Sequence, residues 1–491
     1  MSSARSTKVL ILTIGNGINV LINFLTLPYL VRTLSYLNYG SYGQVLMILG
    51  LIQGVFTFNL NQVANIYFSD RNYESKEVFS TLFRITILLS VLGSVFMIVS
   101  IPIVELVFSN DLIPRLLLLS LLNLFSQIPI PILISVLIYF GRVKHTAAIL
   151  IFSNIFKVAV MFCSIKFFDS IELMMIGLSI ASLIQVILLF YSVPTEVRKL
   201  NFYSKPLAGK FFKMATPLAV SSLIEKSLFY IDGIMISAML GTTAYAFYRA
   251  GAIEVPFIAT LYGAVSTIVM PEVAKYFADK NYKEIVRLKS SAISTTVFFV
   301  YPVLIYLLFF SYPLVSFYLS EKYINSVLVF SIFNLSLLIR INDYQDVLIV
   351  SGNSRFIFKS VVFTTILNLI LNYVLIKMFG VEGSALAFII CLVIFAGLLT
   401  WKSIRIMNCK FTDLFNIQLI AKTSVVSVSL VLIVYALHIY FFKGVWFIIF
   451  VAPVYALIVF IAGVKMNLLH PALLENLKLR LGKIMKLLKW A

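Results

Sequence analysis

About fourteen stretches of roughly twenty apolar residues succeed one another along this chain, joined by short connections, and a water-soluble globule has no use for so many. They lie near 9–31, 42–67, 84–108, 112–140, 146–168, 171–194, 214–240, 243–270, 290–319, 324–350, 356–379, 381–404, 419–441 and 444–464. Each is long enough to cross the ~30 Å hydrocarbon layer as a helix. A bilayer tolerates only helices and closed barrels, because the spanning backbone must satisfy its own hydrogen bonds. The 491 residues are 61% hydrophobic and 12% charged, against roughly 45–50% and about 25% in soluble proteins. The expected fold class is an all-α polytopic membrane protein of about 14 transmembrane helices, with no large soluble domain. Arg5 and Lys8 precede an apolar run that continues to Tyr29 without a small-residue cleavage site, so the first run reads as a retained span.

A net charge of +19 raises the question of nucleic acid, but the placement of the charge answers it. With the N-terminus inside, 29 of the 39 Lys and Arg fall in cytoplasmic segments and 6 in outer ones. That imbalance sets both termini on the cytoplasmic side. The basic charge is therefore topological, and its partners are anionic membrane lipids rather than nucleic acid. Four cations remain at membrane depth: Lys157, Lys226, Arg249 and Arg340. Cys163, Cys391 and Cys409 show no paired spacing, and no metal-ligand cluster or GxxxxGK[ST] loop is present. Neither a cofactor, a metal nor P-loop ATP hydrolysis is expected.

The densest polar sequence within an apolar context is 217–256, which carries Glu225, Lys226, Asp232, Arg249 and Glu254. A charge facing lipid costs ~2.5–3.5 kcal/mol on insertion scales. Such groups must face a bundle interior or a wet cavity, either pairing to hold helices together or lining a transport path. Glu225 and Asp232 are seven residues apart and share a helix face. Span ten, SIFNLSLLIRINDYQDVLIV, places Arg340, Asp343 and Asp346 at intervals of three, where pairing along a helix is expected. Asn154 and Lys157 share a face of span five in the same way. Span two carries Gln44, Gln53, Asn59, Asn61, Gln62 and Asn65, consistent with a hydrated cavity or with interhelical hydrogen bonds. Pro28 is expected to bend span one near its outer end, and Gly40 and Gly43 to loosen the turn into span two.

The chain also repeats itself. Tyr67-Phe68-Ser69-Asp70 recurs as Tyr276-Phe277-Ala278-Asp279 at an offset of 209. Leu137-Ile138 and Gly141 match Leu348-Ile349 and Gly352 at 211, as Ile165-Lys166 and Phe168 match Ile376-Lys377 and Phe379. Six spans per copy make the repeats parallel in the membrane, and transporters built this way place substrate where the bundles meet. The expected organisation is a six-helix lobe at 1–195, a basic cytoplasmic linker at 196–213, a second six-helix lobe at 214–410, two extra helices at 411–466 and a basic amphipathic cytoplasmic tail at 467–491.

The end of span one, LPYLVRTLSYLNYGSYG, with Pro28, Arg32, Leu34, Gly40 and Tyr42, resembles the flippases of the multidrug/oligosaccharidyl-lipid/polysaccharide exporter superfamily. Asp232, Leu240-Gly241 and Tyr248 in and after span seven, and Pro271 after span eight, fit the branch for polysaccharide biosynthesis. Ala246 departs from the glycine usual before the tyrosine pair. The resemblance covers about residues 8–410 plus two extra spans. It implies two parallel six-helix repeats in a V-shaped arrangement, working by alternating access.

On that resemblance the expected function is a flippase for undecaprenyl-diphosphate-linked oligosaccharide, an O-antigen, capsule or exopolysaccharide unit, in the bacterial cytoplasmic membrane. It would be a transporter and not an enzyme, with no catalytic residues. The alternatives are a flippase for the peptidoglycan-precursor lipid and a cation-coupled multidrug exporter. Lys157, Lys226, Arg249 and Arg340 are the cations available to hold the diphosphate. Gln53, Asn59, Asn154, Tyr245 and Tyr248 are candidates for glycan contact. Asp232, Glu225, Glu254, Asp343 and Asp346 are candidates for ion coupling or ion pairs, because a buried carboxylate can exchange a proton. Polysaccharide polymerase machinery is a candidate partner.

Overall fold

A computed structural model describes residues 2–70, 72–200, 203–253, 255–466 and 468. The side chains of 2–13, 220–229, 256, 257, 259–261, 264, 267 and 268 fall outside the description. Among the described residues every regular element is a helix, and the chain has the expected all-α, membrane-spanning fold class. Its contacts divide it into two compact units, Met1–Arg249 and Ala250–Ala491.

The first unit runs α1 (Ser2–Thr33), α2 (Tyr36–Phe56), α3 (Leu60–Ser69), α4 (Ser75–Phe108), α5 (Leu112–Leu119), α6 (Leu121–Gln127), α7 (Ile130–Tyr139), α8 (Val143–Phe168), α9 (Ile171–Tyr191) and α10 (Lys205–Leu240), and it ends inside α11 (Thr242–Gly251). Ser35 starts α2 by accepting the amide of Asn38 at 3.1 Å, as an N-cap hydroxyl does. Span two is not one helix. Phe58 and Asn59 adopt left-handed φ of 50° and 51° and separate α2 from α3. The Asn59 amide then donates to the Leu218 carbonyl at 2.9 Å, tying the break to α10. Leu60, Val63, Phe79, Leu82, Leu133, Val136 and Phe211 form a dry core among α3, α4, α7 and the start of α10. The linker expected at 196–213 thus includes the first residues of a helix that packs on α2, α3 and α4.

Gly40 and Gly43 do not loosen a turn. Both are buried inside α2. A Cβ on Gly43 would sit 2.5 Å from Cδ of Arg249 and 2.9 Å from Cε1 of Tyr245, and one on Gly40 or Gly50 would strike Thr242 or the Tyr230 hydroxyl. Small residues at helix contacts in membranes allow this close approach. Here they let α10 and α11 lie against α2.

The second unit holds α12 (Pro256–Ala278), α13 (Tyr282–Phe309), α14 (Ser311–Leu319), α15 (Ser326–Asn334), α16 (Asp346–Val350), α17 (Ser354–Phe379), α18 (Val381–Met407), α19 (Phe411–Leu414), α20 (Ile417–Tyr440) and α21 (Val445–Lys465). The two helices beyond the repeat, α20 and α21, pack on α13. The Tyr306 hydroxyl donates to the Ile448 carbonyl at 2.6 Å, and the Tyr455 hydroxyl to the Pro302 carbonyl at 3.2 Å. The basic tail at 467–491 lies outside the described residues except for Leu468.

The repeat is visible in the backbone. Gly141 ends α7 at φ 74° and Gly352 ends α16 at φ 72°. At the first, Arg142 N bonds Leu137 O at 2.9 Å and Gly141 N bonds Ile138 O at 3.0 Å; at the second, Asn353 N bonds Leu348 O at 2.8 Å and Gly352 N bonds Ile349 O at 3.1 Å. These are two copies of one left-handed helix stop. The next helices, α8 and α17, are each 26 residues long. Each ends at a phenylalanine, followed by Asp169 at φ 44° or Gly380 at φ 62°.

Eleven helices among the described residues are long and apolar enough to cross a membrane, against the fourteen expected. Spans seven and eight fall partly outside the described residues. Span ten is broken: α15 gives way to a 3-10 turn at Leu335–Leu338, the chain is irregular from 339 to 345, and α16 begins at Asp346. Arg340 and Asp343 therefore sit in a break, not three apart on a helix face.

Candidate functional site

A cavity of about 360 Å³ lies within the first unit, walled by α1, α2, α6, α8, α9 and α11. Its polar lining is Asn23, Thr26, Tyr42, Asn123, Gln127, Asn154, Lys157, Ser182 and Arg249. The helices supply these groups in pairs three or four residues apart, the interval that puts two side chains on one face. Asn23 and Thr26, Asn123 and Gln127, and Asn154 and Lys157 are such pairs.

Two of the four membrane-depth cations share this cavity. The Lys157 ammonium donates to Oε1 of Gln185 at 2.7 Å. Gln185 is buried on α9. The Arg249 guanidinium lies over the Tyr42 ring at 5.8 Å, with Tyr39 and Tyr245 as its other electrostatic neighbours. No carboxylate occurs among the described residues that line the cavity. Lys157 and Arg249 thus stand at an amide-lined hollow whose charge is positive.

Gln53 and Asn59 line a second cavity of about 350 Å³ at the α2–α3 break, with Thr57, Asn61 and Tyr230. The Gln53 amide donates to the Gln127 carbonyl at 3.2 Å, and the Gln127 amide to Ser182 Oγ at 3.3 Å. Gln127 therefore links the two hollows. Asn154 donates to the Asn19 side-chain oxygen at 3.3 Å, joining α8 to α1. A third cavity, about 840 Å³, opens between the turns at 108–112 and 237–243. In its wall Asn110 donates to Ser41 Oγ at 2.9 Å and to Thr242 Oγ1 at 3.0 Å.

Tyr245 and Tyr248 are buried and are absent from the described linings of all three cavities. The Tyr248 hydroxyl donates to Oδ2 of Asp232 at 3.0 Å, and Asp232 is 3% exposed. The side chains of Glu225 and Lys226, and all of Glu254, lie outside the described residues.

Arg340, Asp343 and Asp346 belong to the second unit. The Arg340 guanidinium lies over the Phe388 ring at 5.9 Å. Asp343 Oδ1 accepts the backbone N–H of Gln345 at 3.1 Å. Asp346 is ion-paired with Lys289. Lys289 reads as a cytoplasmic residue when spans are cut by apolar windows, yet it is 2% exposed, two turns inside α13. Gln185 stands in the sequence as a lone amide in LSIASLIQVILLF, and its spacing of three from Ser182 is the one local signal of a polar face.

The sequence profile of the family described as polysaccharide biosynthesis protein matches residues 6–277. A Shigella flexneri protein named for O-antigen transport is 23% identical over 241 residues, covering 47% of this chain and 56% of that protein. The match thus spans little more than half of that relative's length. Among solved structures, one titled as the lipid II flippase MurJ in an inward closed conformation superposes with a TM-score of 0.75, covering 94% of this chain and 99% of that one at 18% identity. An inward-facing multidrug resistance MATE family transporter of the MOP superfamily gives 0.61, covering 82% and 98% at 11% identity. A Vibrio cholerae MATE transporter, VcmN, gives 0.58, covering 84% and 100% at 13% identity. At such identities the likeness is one of fold.

Proposed function

The chain belongs to the polysaccharide biosynthesis protein family, and on that premise we propose that it is a flippase that carries a diphosphate-linked oligosaccharide lipid from the inner to the outer leaflet. The proposal places it in the bacterial cytoplasmic membrane with both termini inside, working by alternating access of its two six-helix repeats. It moves its substrate without making or breaking a covalent bond. Polysaccharide polymerase machinery is the partner that would take up the product.

One observation carries the reading: Lys157 and Arg249 line one cavity in which amides, and no described carboxylate, complete the polar wall. A diphosphate with its sugar cannot cross ~30 Å of hydrocarbon unaided, because burying unpaired charge is prohibitive. Two cations supply charge-assisted hydrogen bonds to phosphoryl oxygens, and amides can exchange hydrogen bonds with sugar hydroxyls. At about 360 Å³ the cavity falls within the ~300–1,000 Å³ range of ligand sites. It suits the headgroup's diphosphate and proximal sugar, while the polyprenyl tail stays in lipid. An organic cation would meet two like charges there, which speaks against a multidrug exporter.

The test is complementation. The chain is expected to restore surface polysaccharide in a strain lacking its oligosaccharide-lipid flippase, and Lys157→Ala/Arg249→Ala is expected not to. Rescue of a strain lacking its peptidoglycan-precursor flippase instead would assign that lipid as the substrate. Rescue of neither, with the protein present in the membrane, would overturn the flippase reading.

A further inference from the structure

The second unit contains a buried charge pair that the cavity of the first unit does not use. The Lys289 ammonium on α13 lies 2.6 Å from Oδ1 of Asp346, also contacts Oδ2, and lies 2.8 Å from the backbone oxygen of Asp343. The two side chains are 3% and 1% exposed. The pair stands at the break in span ten, where the carbonyls no longer have helical partners. Three of them are met by tyrosine hydroxyls. Tyr301 donates to Leu338 O at 3.1 Å, Tyr344 to Ile339 O at 2.5 Å and Tyr262 to Asn342 O at 3.1 Å. Backbone that unwinds inside a membrane is tolerated where such donors replace the lost bonds.

A carboxylate and an unwound-helix carbonyl, converging at membrane depth, are the oxygen donors from which membrane transporters build sodium and proton sites. In this chain those oxygens already hold a positive charge. The repeat offsets of 209 and 211 put Ser80 and Ser135 at the corresponding places in the first copy, so the second copy alone has acid and base there.

We propose that Lys289 is a tethered cation filling a monovalent-cation site made by the Asp346 carboxylate and the Asp343 carbonyl, so that this unit takes up no dissolved sodium ion. A dissolved cation would have to expel a covalently attached one from a buried site. A proton need not expel the lysine: added to Asp346, it removes the negative charge and leaves the ammonium on the Asp343 carbonyl. The titratable neighbours of the pair are Asp343 from the break and Tyr262 from α12, with Tyr301 from α13 and Tyr344 on the adjoining carbonyls of the break. If the flippase reading holds, any ion coupling through this unit runs on protons and not on sodium.

The experiment compares the purified full-length protein with Lys289→Met. Melting temperatures are measured in sodium chloride and in choline chloride at equal ionic strength. The native protein is expected to melt identically in both. Lys289→Met is expected to melt lower than the native protein in choline and to be raised specifically by sodium. A sodium-specific rise in the native protein, or none in the variant, overturns the proposal. Should Lys289→Met fail to fold, Lys289→Gln and direct radioactive-sodium binding to the native protein decide the matter, since saturable native binding displaced by Asp346→Asn overturns it equally. None of these readouts involves lipid transport, so their failure and a failure of complementation are distinguishable.

Discussion

Lys157 is held by Gln185 at 2.7 Å through an amide oxygen, a neutral partner that fixes the ammonium without cancelling its charge. A carboxylate at that place would make the cavity wall an ion pair. An amide keeps the positive charge available to an anion that enters.

Gln185→Glu should therefore leave the protein folded and impair anion binding. The expected loss of affinity for a polyprenyl diphosphate is at least about tenfold, or ~1.4 kcal/mol, by titration calorimetry of purified protein. Gln185→Leu should bind better than Gln185→Glu, because it leaves the cavity's net charge intact. Equal affinity in all three proteins would show that the anion does not use Lys157.

Removing either cavity cation deletes a hydrogen bond to a charged group, worth ~1.5–3 kcal/mol. Lys157→Ala and Arg249→Ala should each weaken diphosphate-lipid binding by that amount. Arg249→Lys should restore part of it, because the point charge returns but the planar fork does not. A full-affinity Arg249→Ala protein would confine that residue to packing against Tyr42.

Asp232 is 3% exposed and accepts the Tyr248 hydroxyl. Asp232→Ala should abolish lipid flux into vesicles while membrane expression is preserved; native flux would take Asp232 out of the mechanism. Tyr248→Phe leaves the buried carboxylate with one donor fewer and should cost ~1–3 kcal/mol of stability. Thermal melting in detergent checks this.

Gly43→Val tests the approach of α11 to α2. Its Cβ would lie 2.5 Å from Arg249 Cδ. Overpacking of this kind costs ~1–3 kcal/mol, and the displaced guanidinium should reduce diphosphate binding as well. A variant that melts and binds like the native protein would contradict the close contact.

Gly141→Ala and Gly352→Ala probe the repeat. Both glycines hold a left-handed conformation, at φ 74° and 72°. Each substitution should cost about 1–2 kcal/mol, by nearly equal amounts. A large loss at one and none at the other would mean that the two stops are not equivalent.

Much of this could be read along the chain. The apolar runs located most of the helices, the repeat paired Gly141 with Gly352 at an offset of 211, and the count of basic residues isolated Lys157 and Arg249 among four cations. Two kinds of feature stayed hidden. Apolar windows end where charge begins and so leave Lys289 in a connection, whereas α13 starts at Tyr282 and carries the lysine inward. The break in span ten is not legible because two of its carbonyls are satisfied from other helices, by Tyr262 and Tyr301, and a third by Tyr344 within the break itself.

The sequence by itself determined that the chain spans a membrane as helices, and which helix faces carry polar groups, because hydrophobic length and the 3.6-residue period are local properties. Only the tertiary structure decided partners: Lys157 with Gln185, Arg249 beside Gly43 and Tyr42, and Lys289 with Asp346. Periodicity says which way a side chain turns on its own helix. Which helix it meets depends on how distant segments pack, and on where an absent Cβ lets them come close.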